Sequence, residues 1–154
     1  MSDGIQINKT EQMQAVIPVR DDHFQGIQND LEKAILEIDE KGTGWCLGPH
    51  IGQSVDIIYF YGLLKDGDLC LCANPTWIPT GKRINTAETF LSDGKTYLCD
   101  RFKTITAIFY SFNMQGKLIK ITKNLSGEKA IMFQHAEQYL HSKLRGIPLE
   151  EDEK

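Results

Sequence analysis

The stretch that decides how this chain folds is Phe133-Gln134-His135-Ala136-Glu137-Gln138-Tyr139-Leu140. It belongs to a helical pattern that opens at Ser126-Gly127, a favourable boundary, and in which Ala130, Phe133, Glu137, Leu140 and Leu144 recur every three or four residues. Gly146 and Pro148 end it. Upstream of this helix the pattern becomes that of strands. Residues 104–112 read as a strand, Asn113-Met114-Gln115-Gly116 turns the chain, and residues 117–122 return as the second arm of a hairpin. An earlier hairpin joins the β-branched and aromatic run 55–64 to 69–73 through Asp66-Gly67-Asp68, and Asn74-Pro75 is expected to end its second strand. Between the hairpins, residues 77–101 mix turn residues with short apolar runs.

Nearer the N-terminus, Phe24, Ile27, Leu31, Ile35 and Ile38 place one amphipathic helix over residues 22–41. The segment 42–52 holds four glycines and a proline in eleven residues, which precludes a long regular element and predicts a structured loop with short extended pieces. Helix, mostly antiparallel strands, then helix is an α+β order, here a single domain over 1–154 whose acidic end, 149–154, is expected to be a solvated tail. A length of 154 residues suits one domain, and 41% hydrophobic with 25% charged residues can bury a core. The formal charge of −4 argues against a general clamp on nucleic-acid phosphates or anionic lipid. No apolar run approaches the roughly 18 to 20 residues that span a bilayer, and residues 1–9 lack a basic-then-apolar leader, so a soluble, unexported chain is expected.

Cys46, Cys70, Cys72 and Cys99 are expected to be reduced thiols, with Cys70 and Cys72 on opposite faces of a strand. No pair has the spacing of a zinc knuckle. Trp45 and Trp77 read as packing residues.

Three motifs, in order, carry a resemblance to a known family. Gly42-Thr43-Gly44 through Pro49-His50-Ile51-Gly52 resembles the Gly-x-Gly-x-Ala-Ala-Pro-Gln-x-Gly of the peptide deformylases, with one extra residue around Gly48. Glu88-Thr89-Phe90-Leu91-Ser92 resembles their Glu-Gly-Cys-Leu-Ser, and the helix stretch resembles their Gln-His-Glu-x-Asp-His-Leu. Asn74-Pro75 and Arg101 also fall where that family has such residues. The similarity runs from about Ile5 to Pro148 and implies a deformylase-like fold.

What the family's chemistry would need is largely replaced here. The resemblance implies a divalent metal held by a motif-two cysteine and two helix histidines, a helix glutamate that moves the proton of the metal-bound water, and a motif-one glutamine with a backbone N–H at the oxyanion. Two histidines at i and i+4 lie about 40° apart on a helix and can grip one ion. His135 stands at the first histidine position, Tyr139 at the second, Phe90 at the cysteine, Ala136 at the glutamate and His50 at the glutamine, while Leu91 keeps its backbone N–H. Neither neighbour restores the set: Glu137 points about 100° around the helix from the glutamate position, and His141 lies about 120° from His135. His50 with His135 is the one pair that could rebuild a metal site, with Tyr139 or Glu88 as third donor.

The expectation is therefore a non-catalytic deformylase-like protein, with no catalytic residues, no cofactor and no metal, that serves as a binding, assembly or structural module. Its partner would be a protein, with peptide or nascent-chain binding open, and neither membrane nor nucleic acid. Its place would be cytoplasmic or otherwise intracellular, or the virion if phage-encoded, since deformylase relatives occur in bacteria, organelles and tailed phages. The alternative is an active deformylase acting on N-formylmethionyl peptides through iron, zinc or nickel on an altered ligand set. Glu88 and Arg101 are expected to pair, and His135 to be a hydrogen-bonded core or cleft histidine.

Overall fold

The computed structural model describes residues 16–89, 94–141 and, for the backbone, 147–148. Leu144 and the acidic tail 149–154 lie outside the described residues. Two short helices, α1 (Phe24–Asn29) and α2 (Leu31–Lys41), precede eight strands: β1 (Trp45–Leu47), β2 (Ile57–Tyr61), β3 (Leu69–Pro79), β4 (Arg83–Thr89), β5 (Thr96–Phe102), β6 (Thr104–Phe112), β7 (Leu118–Ser126) and β8 (Ile147–Pro148). Helix α3 (Gly127–Leu140) lies between β7 and β8 in the chain. The strands form a five-stranded sheet, β1-β2-β3-β6-β7, and a three-stranded one, β4-β5-β8, antiparallel throughout. The α+β expectation holds. None of the described helices is long and apolar enough to cross a membrane.

Helix α3 packs against β1, β2, β3, β6 and β7 of the larger sheet and β5 of the smaller. Being covered from several directions, it buries Ala130, Phe133, Gln134, Ala136, Glu137, Tyr139 and Leu140, more than a single stripe. The buried Gln134 amide is spent on the smaller sheet: it accepts the Phe102 N–H at 2.9 Å and donates to the Phe102 carbonyl at 2.8 Å, as another strand would. Phe133 stacks on Phe60 at 5.7 Å in the core beneath. The other face of the larger sheet carries a second core, in which Ile27, Ala34 and Ile38 of the N-terminal helices meet Ile57, Tyr59 and Ala73.

Four sequence expectations need correction. The single helix over 22–41 is a 3-10 turn and two helices, interrupted at Asp30, whose φ of −104° and ψ of 10° leave the helical range. Asn29 and Asp30 favour such breaks, because their side chains compete for backbone partners; Asp30 instead accepts from the Gln53 amide at 3.2 Å. Strand β3 does not end at Asn74-Pro75. A bulge between Ala73 and Thr76 absorbs the proline, with Asn74 in the left-handed region at φ 52°, and pairing with β6 resumes as far as Pro79. The Asn74 side chain bonds both the N–H and the carbonyl of Val19, tying the bulge to the N-terminal segment.

Strands β4 and β5, which the sequence reading of 77–101 did not mark, pair continuously from Arg83 with Phe102 to Thr89 with Thr96. In β4 the half-buried face carries Thr86 and Glu88 as well as Ile84, so the hydrophobic alternation is hidden. Finally, Cys70 and Cys72 share one face, with sulfurs 3.8 Å apart, because a strand's period of two returns i and i+2 to the same side.

Candidate functional site

The site grows from the junction of β4, α3 and the glycine-rich loop. Arg101 of β5 sits directly across the ladder from Ile84, and its guanidinium reaches Glu88 through Nε at 2.9 Å and Nη2 at 2.7 Å. His135 brings Nδ1 to within 2.7 Å of the same carboxylate, and the Thr86 hydroxyl donates to it as well. Burial alone would push the Glu88 carboxyl up, but these hydrogen bonds and the Arg101 charge hold it down at about 2. An ionised Glu88 fixes the His135 ring in place, with an Nδ1–H donated to it. The expected Glu88–Arg101 pair is present, and His135 is hydrogen-bonded at the cleft.

On the other side of His135 lies a group of rings. Trp45 meets the His135 ring edge-on at 5.5 Å between centroids, and Tyr139 at 6.5 Å. His50 lies 5.6 Å from Tyr139 and 6.4 Å from Trp45. The Leu47 N–H donates to His50 Nδ1 at 3.2 Å, so that nitrogen is already engaged within its own loop. Burial, with a smaller effect of Lys41, lowers His50 to about 4, leaving it neutral near pH 7. Ala136 is fully buried and presents only a methyl group. Phe90 and Leu91 lie outside the described residues.

Beside His135 opens a groove of about 620 Å³. Trp45 and Thr43 form one wall, Ile84, Glu88 and Thr89 of β4 another, and Ile131, Met132 and His135 of α3 its floor. Lys103, Gly127 and Glu128 close its far end. Both flanking strands are sheet edges: β1 pairs only with β2 and β4 only with β5 among the described strands. The outward N–H and C=O groups of β4 suit an added extended chain, whereas at β1 the Thr43 hydroxyl already bonds the Trp45 N–H and carbonyl and His50 takes the Leu47 N–H. Trp45 packs in the core, as expected, and also borders the groove.

No protein-family model and no curated protein matches the sequence. Solved structures do. A peptide deformylase from Plasmodium falciparum superposes with a TM-score of 0.71 at 18% identity, covering 88% of this chain and 79% of that one. The enzyme from Thermotoga maritima gives 0.68 at 19% identity over 90% and 91% of the two chains. The class I type b peptide deformylase from Acinetobacter baumannii with Met-Ala-Ser bound gives 0.71 at 12% identity over 88% and 89%. This chain has the peptide deformylase fold.

Within that deformylase-like fold, Glu137 and His141 do not reach the groove. Glu137 accepts the Trp77 indole N–H at 2.9 Å and lies 2.6 Å from His141 Nδ1, while His141 Nε2 lies 2.8 Å from Asp56. This Asp56–His141–Glu137 cluster ties the end of α3 to the start of β2. Sequence reading missed it, because 85 residues separate Asp56 from His141. It also missed the lining of the groove; Ile84, Ile131 and Met132 carry no signature apart from being apolar. Among the described residues no three His, Cys, Asp or Glu side chains are grouped so as to hold a metal ion.

Proposed function

We propose that this protein is a non-catalytic deformylase-like module that binds an extended peptide in the groove beside His135 and does not hydrolyse it. The observation that carries this reading is the contrast between an open groove, bordered by the edge of β4 that no other described strand covers, and the chemistry next to it. The residues do not fit a divalent ion: His135 is the one matching imidazole, Tyr139 is packed among rings, Ala136 has no donor, and His50 Nδ1 already accepts a backbone bond. Phe90 has no donor atom whatever its position. Without a base at 136, nothing there can take a proton from water, and groups that act as one unit fail together when several are missing.

The peptide reading draws support from the Met-Ala-Ser bound to the deformylase of the same fold. The apolar lining suits one uncharged side chain, and the open edge of β4 suits the backbone beside it. The partner is a protein segment or nascent chain of unidentified sequence. The test is a titration of acetyl-Met-Ala-Ser amide followed by isothermal calorimetry, together with formate release from formyl-Met-Ala-Ser and metal analysis of protein purified without chelator. Saturable binding with no formate, before and after addition of iron, zinc or nickel, is expected. Stoichiometric metal with formate release, both abolished by His135→Ala, overturns the reading in favour of an active enzyme with an altered ligand set.

A further inference from the structure

The groove beside His135 is longer than one side chain. Glu88 and Ile84 both line it and lie four residues apart on β4, about 13 Å along an extended strand. His135 and Gly127, eight residues apart on α3, give about 12 Å. A leucine or methionine side chain reaches only about 4 to 5 Å from its Cα. The apolar lining falls in two places along this length. Trp45 and Met132 belong to the His135 end: the Trp45 and His135 rings are 5.5 Å apart, and a Cβ placed on Gly44, next to Trp45, would lie 3.8 Å from Met132 Cε. Ile84 stands four residues of β4 away, and Ile131, one turn of α3 before His135, lines the groove with it. The period comes from β4, whose residues alternate between exposed, at Arg83, Asn85 and Ala87, and half-buried, at Ile84, Thr86 and Glu88. A strand laid along its open edge continues the pleat, so alternate side chains turn to the groove and those between turn to solvent. The edge is fit for such a strand. It pairs with β5 without a bulge and holds no proline or lysine, whereas the free edge of β7 carries Lys120 and Lys123.

We infer that the groove selects an extended protein segment with apolar side chains at positions i and i+2 and a residue of any class between them. This rests on the peptide-binding reading above and specifies the partner by its spacing. One apolar side chain lies beside Trp45, Met132 and His135, and the next inward one lies toward Ile131 and Ile84. The four residues of α3 from His135 to Ile131 advance about 6 Å, which keeps pace with the two-residue step of a strand, about 6.6 Å. The residue between them projects over the exposed face of β4 and buries little, so its identity adds little affinity. The pattern reads the same in either chain direction along β4.

The test uses two acetylated, amidated tripeptides of identical composition, Met-Ala-Leu and Met-Leu-Ala, with Met-Ala-Ser as reference, each titrated into the full chain by isothermal calorimetry. Met-Ala-Leu is expected to bind about tenfold more tightly than Met-Leu-Ala, the effect of burying about half a leucine side chain. Met-Leu-Ala, whose leucine faces solvent, should match Met-Ala-Ser within about twofold. Ile84→Ala should shrink the difference between the two isomers to about threefold or less, with circular dichroism to check that the variant is folded. Equal affinity of the isomers in the wild type, or a preference for Met-Leu-Ala, overturns the spacing inference and leaves the groove reading intact. Binding by none of the three overturns the groove reading and the inference with it.

Discussion

Replacing His141 by glutamine should remove a pH-dependent part of this protein's stability. The imidazole lies between two carboxylates, 2.8 Å from Asp56 and 2.6 Å from Glu137, and these hydrogen bonds, first to Asp56 and then to Glu137, outweigh burial and raise it to about 9. In the unfolded chain a histidine titrates near 6.5. The raised group therefore stabilises the fold fully below about pH 6.5 and loses that contribution as pH rises through about 9. At about 1.4 kcal/mol per pH unit the gap amounts to about 3 kcal/mol; the quarter of the side chain that remains exposed reduces it to about 2. Urea unfolding of the wild type and His141→Gln at pH 6, 7.5 and 9.5 measures it directly. The difference between the two proteins should be largest at pH 6 and shrink by about 2 kcal/mol by pH 9.5, or roughly 5 °C in Tm for a chain of this size. A difference that stays constant across this range would refute the charged-histidine reasoning. A smaller constant part is expected in any case, because Glu137 keeps its Trp77 partner in the variant.

The other predictions concern the Glu88 cluster and the thiols. Arg101→Met leaves a nearly buried carboxylate short of its main partner, with both side chains under a tenth exposed, and should cost about 3 to 5 kcal/mol in chemical denaturation. Because Glu88 is held at about 2, its stabilisation is present above the ordinary carboxylate value and lost as pH falls through about 2, so the variant's acid unfolding midpoint should move upward; an unchanged acid limb contradicts that assignment. All four cysteines are buried thiols, and burial above all pushes Cys46 and Cys99 up to about 12. A disulfide-exchange reagent at pH 8 should therefore titrate less than one thiol in the native protein and all four after unfolding. Rapid reaction of the native protein would show that the core opens.

How much of this was legible beforehand varies from element to element. The β6–β7 hairpin was, because its alternation of apolar and polar residues is local and its turn chemistry explicit. So was α3, although the sequence suggested one buried stripe and the helix is covered from several directions. The β4–β5 hairpin was not, since Thr86 and Glu88 take inward positions where apolar residues would announce a strand. Their reason for being there is Arg101 and His135, and those partners lie 13 and 47 residues away from Glu88. The bulge in β3 hides behind a proline that reads locally as an ending.

For the site, motif order alone gave the expectation that Glu88 meets Arg101, and the two are bonded. Local order and side-chain chemistry determine such things, because a helix or hairpin dictates which positions share a face. Whether the cleft beside His135 is filled or open was beyond the sequence. Volume is a property of the gap left between β1, β4 and α3 once two sheets have packed around one helix, and no segment encodes that gap by itself. The same holds for the Asp56–His141–Glu137 tie. Those depend on chain segments brought together only by tertiary packing, which sets the distances over which charge and burial act.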